Sequence, residues 1–281
     1  MQVFYDRASF SEYINHLKEN HKTIGFAPTM GALHNGHLSL YQVARQQNDI
    51  VISSIFVNPT QFNNPEDLEK YPRTIDADIK ILEASTFVDA VYIPRVEDIY
   101  PDGMVSKHYN FGGIENEMEG FARPGHFDGV GTVVEALFLQ VKPDNAYFGE
   151  KDFQQLKIIE KLVTLSGLDI KIHGVKIHRQ DNGLAMSSRN MRLSADEREA
   201  STIIYKTLKN VNDWFRVLSI PEIKKRVEDI FSNNGMQLEY FLIADEDTLK
   251  EVNFFSEDKN YRAFIVVHVG SVRLIDNMHL E

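Results

Sequence analysis

Cysteine is absent from the 281-residue chain, which excludes a disulfide framework, a thiolate zinc site and a cysteine nucleophile. Long apolar runs are absent too. No stretch approaches the roughly 18 uninterrupted apolar residues that a membrane span needs. The first ten residues, MQVFYDRASF, hold no basic segment followed by an apolar core. The expectation is a cytoplasmic protein without a membrane partner. Positive charge is in short supply: 30 Lys and Arg stand against 41 Asp and Glu, a formal net charge of −11. A long polyanion would meet net repulsion unless a local basic face compensated, so no nucleic-acid partner is expected, while small anions in a cleft remain allowed. The dinucleotide fingerprint is missing as well, because Val134 stands where a third glycine would follow Gly129-Val130-Gly131.

What is present is an ordinary globular composition, 43% hydrophobic and 25% charged, over a length that predicts about two domains. The chain is organised around Thr23 to Leu40, TIGFAPTMGALHNGHLSL. Thr23 to Ala27 reads as a short buried parallel strand that stops at Pro28. Gly31 and Gly36 permit close backbone approach, and helical spacing then follows from about His37. The first amides of such a helix carry partial positive charge and lack intrahelical partners. An anion can sit there with His34 and His37 as directional donors.

Taken in order, Ser9 reads as the cap of a first helix with Phe10, Tyr13, Ile14 and Leu17 on one face. Ile50 to Val57 is a second strong strand, closed by the turn Asn58-Pro59-Thr60-Gln61-Phe62. In a doubly wound sheet the carboxyl ends of the strands face the ligand crevice, so Asn58 and Gln61 point the same way as His34. A helix from about Asp76 to Ser85 and a strand from Val88 to Ile93 continue the alternation. Asp76 and Asp78 are weighed as magnesium ligands against a plain helix-dipole role, which leaves the metal ligands open. Pro101 to Gly125 reads as a loop or flap around a short strand, ahead of a helix over Thr132 to Val141. Asn145 to Gly149 is a strand ending in the turn Gly149-Glu150-Lys151-Asp152, where helical spacing resumes toward Leu156. Asp169 to Ile177 is the last strand of this part. Beyond it a charged helical segment, with Ser194 and Glu197 as a capping box, leads to strands at Gln237 to Ile243, Ala263 to Val269 and Arg273 to Ile275. The fold expected is α/β: a Rossmann-like doubly wound parallel sheet over residues 1–177, with a smaller C-terminal α+β lid domain over 178–281.

His34-Asn35-Gly36-His37 resembles the His-x-Gly-His signature of the nucleotidyltransferase superfamily that includes class I aminoacyl-tRNA synthetases. The longer string Pro28 to His37 is similar to that of the pantothenate synthetase family, the pantoate–beta-alanine ligases. Asn58 to Phe62, Arg123-Pro124-Gly125-His126-Phe127-Asp128-Gly129-Val130, Gly149 to Gln155, Met186-Ser187-Ser188-Arg189 and Arg273 to Asn277 also resemble this family's motifs. The resemblance implies ATP contacts along Met30, Gly31, Ala32, Leu33, His34, Asn35, Gly36 and His37. It implies them again over Gly149, Glu150, Lys151 and Asp152, through the backbone at His178, and over the serine loop Met186, Ser187, Ser188 and Arg189. It places pantoate at Gln61 and Gln155, and Arg123 reads as a carboxylate or phosphate clamp.

The activity implied is condensation of pantoate with beta-alanine, giving a coenzyme A precursor. ATP is the cosubstrate, Mg2+ its counter-ion, and the product forms through pantoyl-adenylate with release of AMP and pyrophosphate. His34, His37, Lys151, Ser187, Ser188 and Arg189 are expected to neutralise charge on the phosphoryl oxygens. A homodimer is expected from the family. Two other readings stay open at this point, a cytidylyltransferase for another small metabolite and a non-catalytic nucleotide sensor.

Overall fold

In the computed structural model, which describes residues 1–234 and 236–281, the short apolar runs resolve into a parallel sheet followed by a small antiparallel one. One unit comprises Met1–Glu150 and Gln154–Lys176. Its elements are β1 (Gln2–Phe4), α1 (Arg7–Glu19), β2 (Ile24–Thr29), α2 (Asn35–Gln47), β3 (Ile50–Ile55), α3 (Pro65–Glu69), α4 (Ile75–Ser85), β4 (Ala90–Tyr92), α5 (Val96–Ile99), α6 (Met118–Ala122), α7 (His126–Val141), β5 (Asn145–Gly149), α8 (Phe153–Leu165) and β6 (Lys171–Val175). The strands lie in the order β1-β4-β3-β2-β5-β6, and every pair is parallel. The order reverses direction between β2 and β5, so the carboxyl ends of these two strands flank the crevice where open α/β sheets take their ligands. Helices cover both faces, which is why the strands read as continuous apolar runs. On one face Tyr41, Ala44 and Leu40 of α2 pack with Val51, Ile55 and Leu82. On the other, the Phe10 ring stacks on Tyr92 at 4.1 Å and Phe26 meets Phe138 edge to face.

Several boundaries differ from the sequence reading. The strand does not stop at Pro28 but runs to Thr29. β5 pairs with β2 only at Gly25 and Phe26, so Pro28 lies beyond the rungs that would need its missing N–H. Asp6, not Ser9, caps α1, and it accepts from the Ser9 amide at 2.8 Å. Residues 101–125 hold no strand; a 3-10 turn at Ile114–Asn116 and α6 stand there. α7 starts at His126, six residues before the expected Thr132. Its glycines are packing positions rather than breakers, since a Cβ on Gly131 would lie 2.9 Å from the Tyr109 ring.

The second unit comprises Lys151–Phe153 and Ile177–Glu281. It contains α9 (Ala195–Ala200), α10 (Thr202–Trp214), α11 (Ile220–Asn233), β7 (Gln237–Asp245), β8 (Tyr261–Val269) and β9 (Val272–Leu280). The three strands are antiparallel in sequence order, and β9 runs five residues past the expected Ile275. Ile204, Leu208 and Val211 of α10 and Ile223, Val227 and Phe231 of α11 pack with Ile243, Ile265 and Val267 in one core. Asp245 ends β7 with its carboxylate buried. Burial pushes its pKa up, but donation from the Thr248 amide and hydroxyl and from Lys259 at 3.0 Å outweighs that and holds it below the ordinary value. A carboxyl depressed in the folded state stabilises above its unfolded pKa of about 4 and loses that contribution as pH falls through the folded value. Asp245→Asn should therefore flatten the acid limb of a stability-against-pH curve below about pH 4; an unchanged limb would remove Asp245 from it.

Candidate active site

The turn after β2 is built from two residues in the left-handed region, Gly31 at φ +80° and Ala32 at φ +51°. Successive amides in such a turn converge, and here they converge on a carboxylate from another element. Asp78 of α4, only 1% exposed, accepts from the Ala32 amide at 3.0 Å, the Leu33 amide at 2.8 Å and the Thr74 hydroxyl at 3.1 Å. A Cβ on Gly31 would lie 3.0 Å from Asp78 Oδ2, so the glycine is needed for space as well as for φ. Asp78 thus braces the turn, its carboxylate taken up by two backbone amides and a hydroxyl. Asp76 is exposed on the first turn of α4.

The helix that follows starts at Asn35, two residues before the expected His37, because a histidine serves as its cap. His34 Nδ1 accepts from the Gly36 amide at 3.1 Å, and His37 Nδ1 accepts from the His34 amide at 3.3 Å. This is a reciprocal capping box made by two imidazoles. The rings stack at 4.0 Å and 28°. Since each Nδ1 receives a hydrogen bond, the proton of each neutral ring sits on Nε2. The pair therefore presents Nε2–H donors at a helix N-terminus, where anions are favoured.

At the carboxyl end of β3, Asn58 is fully buried and its amide orientation is settled by its neighbours. Its Oδ1 accepts from Tyr100 Oη at 2.5 Å and Thr60 Oγ1 at 3.2 Å, and its Nδ2 donates to Gly129 O at 3.0 Å and Gln61 Oε1 at 3.2 Å. Burial raises the Tyr100 pKa, which keeps that phenol a donor. Gln61 closes the 3-10 turn Pro59–Gln61, and its Nε2 lies 2.9 Å from Met30 Sδ, at the start of the turn after β2. Met30 through His37 and Gln61 thus belong to one connected cluster. Arg123 is attached to it by donating to the Gln61 carbonyl at 3.0 Å, with Glu119 at 3.8 Å on its other side. His126, which has no role in the sequence reading, donates to the same carbonyl.

β5 delivers Gly149 and Glu150 at its carboxyl end. Gln155 is half-buried in α8, while its neighbour Gln154 is buried. Gln154 donates to the Ile114 and Glu117 carbonyls and accepts from the Glu119 amide, which ties the 114–119 segment to α8. In the second unit the Lys151 carbonyl accepts from Asn277 Nδ2 at 2.9 Å, and the Lys151 ammonium lies 3.9 Å from Asp152. Residues 178–186 form a tight hairpin, with Met186 donating to the His178 carbonyl at 3.0 Å and Arg179 bridged to Ala185. Arg179 grips Asp276 of β9 through two bonds of 2.6 and 2.9 Å and lies 4.0 Å over the Tyr205 ring. Ser187 then caps the 3-10 helix Ser188–Arg192 by accepting from the Arg189 amide. Asp276 and Asn277 are thereby explained: one anchors the serine hairpin and the other the Lys151 backbone.

A family model described as pantoate-beta-alanine ligase matches residues 2–279. The chain is 50% identical to a pantothenate synthetase from Flavobacterium psychrophilum, with all of both chains covered. Among solved structures it is similar to a pantothenate synthetase from Thermus thermophilus, with a TM-score of 0.90, 35% identity and 99% of each chain covered. It is also similar to a pantoate-beta-alanine ligase from Francisella tularensis complexed with beta-gamma ATP and beta-alanine, with a TM-score of 0.83, 39% identity and coverage of 99% and 97%.

Proposed function

We propose, from the premise that this chain belongs to the pantoate-beta-alanine ligase family, that it condenses (R)-pantoate with beta-alanine and cleaves ATP to AMP and pyrophosphate. A carboxylate is a poor electrophile at neutral pH, because its charge repels an amine and oxide is a bad leaving group. Adenylation removes both obstacles. One pantoate carboxylate oxygen attacks the α-phosphorus and pyrophosphate departs with the electron pair of the broken P–O bond. The beta-alanine amine then attacks the acyl carbon and expels AMP, losing a proton as the amide forms.

No protein nucleophile is needed, so the work of the side chains is to hold the anions in line and to neutralise charge as it develops. The observation within the chain that carries the reading is the stacked His34–His37 pair at the start of α2, in which both Nδ1 atoms accept from backbone amides. In this reading the pair donates to the phosphates, beside the backbone of Met30, Gly31, Ala32, Leu33, Asn35 and Gly36. Lys151, Ser187, Ser188 and Arg189 add charge and hydroxyls for the phosphoryl oxygens. Gly149, Glu150, Asp152, Met186 and the His178 backbone line the nucleoside. Gln61, Gln155 and Arg123 form the pantoate group, and residues 178–281 act as a lid.

Magnesium belongs to the proposal as the ion carried on ATP, where it shields the β and γ phosphates. Among the described residues no three His, Asp or Glu side chains are grouped to hold a metal unaided, and Asp78 is occupied by backbone amides. That suits an ion bound mainly through phosphate and water. A homodimer, which rests on the family resemblance, and a cytoplasmic location, which rests on the sequence, are part of the same proposal. No described helix is long and apolar enough to cross a membrane. The test is pyrophosphate release with ATP and magnesium in the presence and absence of pantoate. Release only with pantoate is expected; failure of pantoate to stimulate release would favour the other two readings, a cytidylyltransferase for another metabolite or a nucleotide sensor.

A further inference from the structure

The segment Arg123 to Val130 stands out in the sequence, yet only Arg123 has a part in the proposed chemistry. Its residues converge on one main-chain carbonyl. His126, 6% exposed, donates from Nδ1 to Gln61 O at 2.8 Å, and Arg123 Nη2 donates to the same oxygen at 3.0 Å. A peptide carbonyl has two lone pairs, and two donors meet this one. Arg123 Nη1 lies 3.3 Å from His126 Nε2. A guanidinium only donates, so Nε2 accepts and the proton of His126 is held on Nδ1, the opposite tautomer from His34 and His37. A further hold is steric. A Cβ on Gly129 would lie 2.7 Å from Thr60 O and 2.9 Å from the Gln61 amide nitrogen, so only glycine lets the backbone of α7 touch the turn. From the opposite side, Tyr100 orients Asn58, whose Nδ2 meets Gln61 Oε1 at 3.2 Å.

We infer that His126 and Gly129 are positioning residues for Gln61, whose carbonyl His126 shares with the pantoate-group residue Arg123. The first turn of α7 fixes the Gln61 backbone and, with Asn58, the direction of its amide, and so sets recognition of the hydroxy acid. A glutamine held this way gives up little freedom when substrate binds, which strengthens binding without a new contact. The inference rests on the ligase reading, in which Gln61 meets pantoate.

The test compares His126→Phe, which removes the donor, with His126→Asn, whose amide nitrogen can replace Nδ1. Both are assayed for pantoate-dependent pyrophosphate release, with melting temperature recorded. The Phe variant should need about tenfold more pantoate for half-saturation, the equivalent of one hydrogen bond of about 1.4 kcal/mol. Its ATP requirement should stay within about twofold, and the Asn variant should lie within about threefold of wild type for pantoate. An unchanged pantoate requirement in the Phe variant, a parallel rise for ATP, or an Asn variant as impaired as Phe would overturn the inference. If the Phe variant does not fold, His126→Leu, which also lacks the donor but is smaller, takes the same measurements under the same criteria. A wild-type protein without pantoate-dependent release would instead overturn the ligase reading itself.

Discussion

His37→Gln should slow pantoyl-adenylate formation by about 10² to 10³, close to 3 kcal/mol in the barrier, while the protein melts within a few degrees of wild type. Glutamine is the informative substitution. His37 occupies the third position of α2 and accepts a hydrogen bond from the His34 amide, a role glutamine fills in ordinary capping boxes. What glutamine lacks is an imidazole Nε2–H held in place by the stacked partner ring. Alanine would mix two effects, since losing the cap alone costs about 1 kcal/mol of stability. Single-turnover measurement of pyrophosphate, paired with calorimetry, separates the two. A His37→Gln protein that turns over near the wild-type rate would take His37 out of the mechanism.

The second large effect is structural. Asp78→Ala removes the acceptor for two backbone amides and a hydroxyl in a site closed to water. Unsatisfied buried donors cost about 1–3 kcal/mol each, so a loss of about 3–5 kcal/mol is expected, seen as a fall of roughly 10 °C in melting temperature. Asp78→Asn keeps one acceptor oxygen and should fall between. Because Gly31 and Ala32 are held in left-handed geometry by this carboxylate, the ATP concentration for half-saturation should rise in whatever Asp78→Asn protein remains folded. A melting temperature within two degrees or so of wild type for the alanine variant would show that the brace carries little.

Most of the strands, their parallel arrangement and the glycine turn after β2 are legible in the sequence, because buried parallel strands leave short apolar runs closed by turn residues; the three-residue β1 leaves too short a run to show. Several positions that sequence misplaces have partners far away along the chain. Asp78 meets the turn from 45 and 46 residues off. The one local hint is a carboxylate sharing the buried face of α4 with Leu82, since a charge on an apolar stripe requires a partner. His34 falls outside the Ser, Thr, Asp and Asn capping set, so pattern alone sets the start of α2 two residues late. The glycines at the start of α7 look like breaks because nothing local shows that Thr60, Gln61 and Tyr109 press against them. The tautomers of His34, His37 and His126 are beyond any sequence pattern. They follow from which ring nitrogen meets a donor and which meets an acceptor.

The route through an acyl-adenylate makes one demand on a single atom. Pantoate labelled with 18O in its carboxylate, turned over with ATP, magnesium and beta-alanine, should pass one labelled oxygen to AMP, which mass spectrometry resolves. AMP free of label, or label in inorganic phosphate beside ADP, would contradict attack at the α-phosphorus, and with it the part played by the histidine pair.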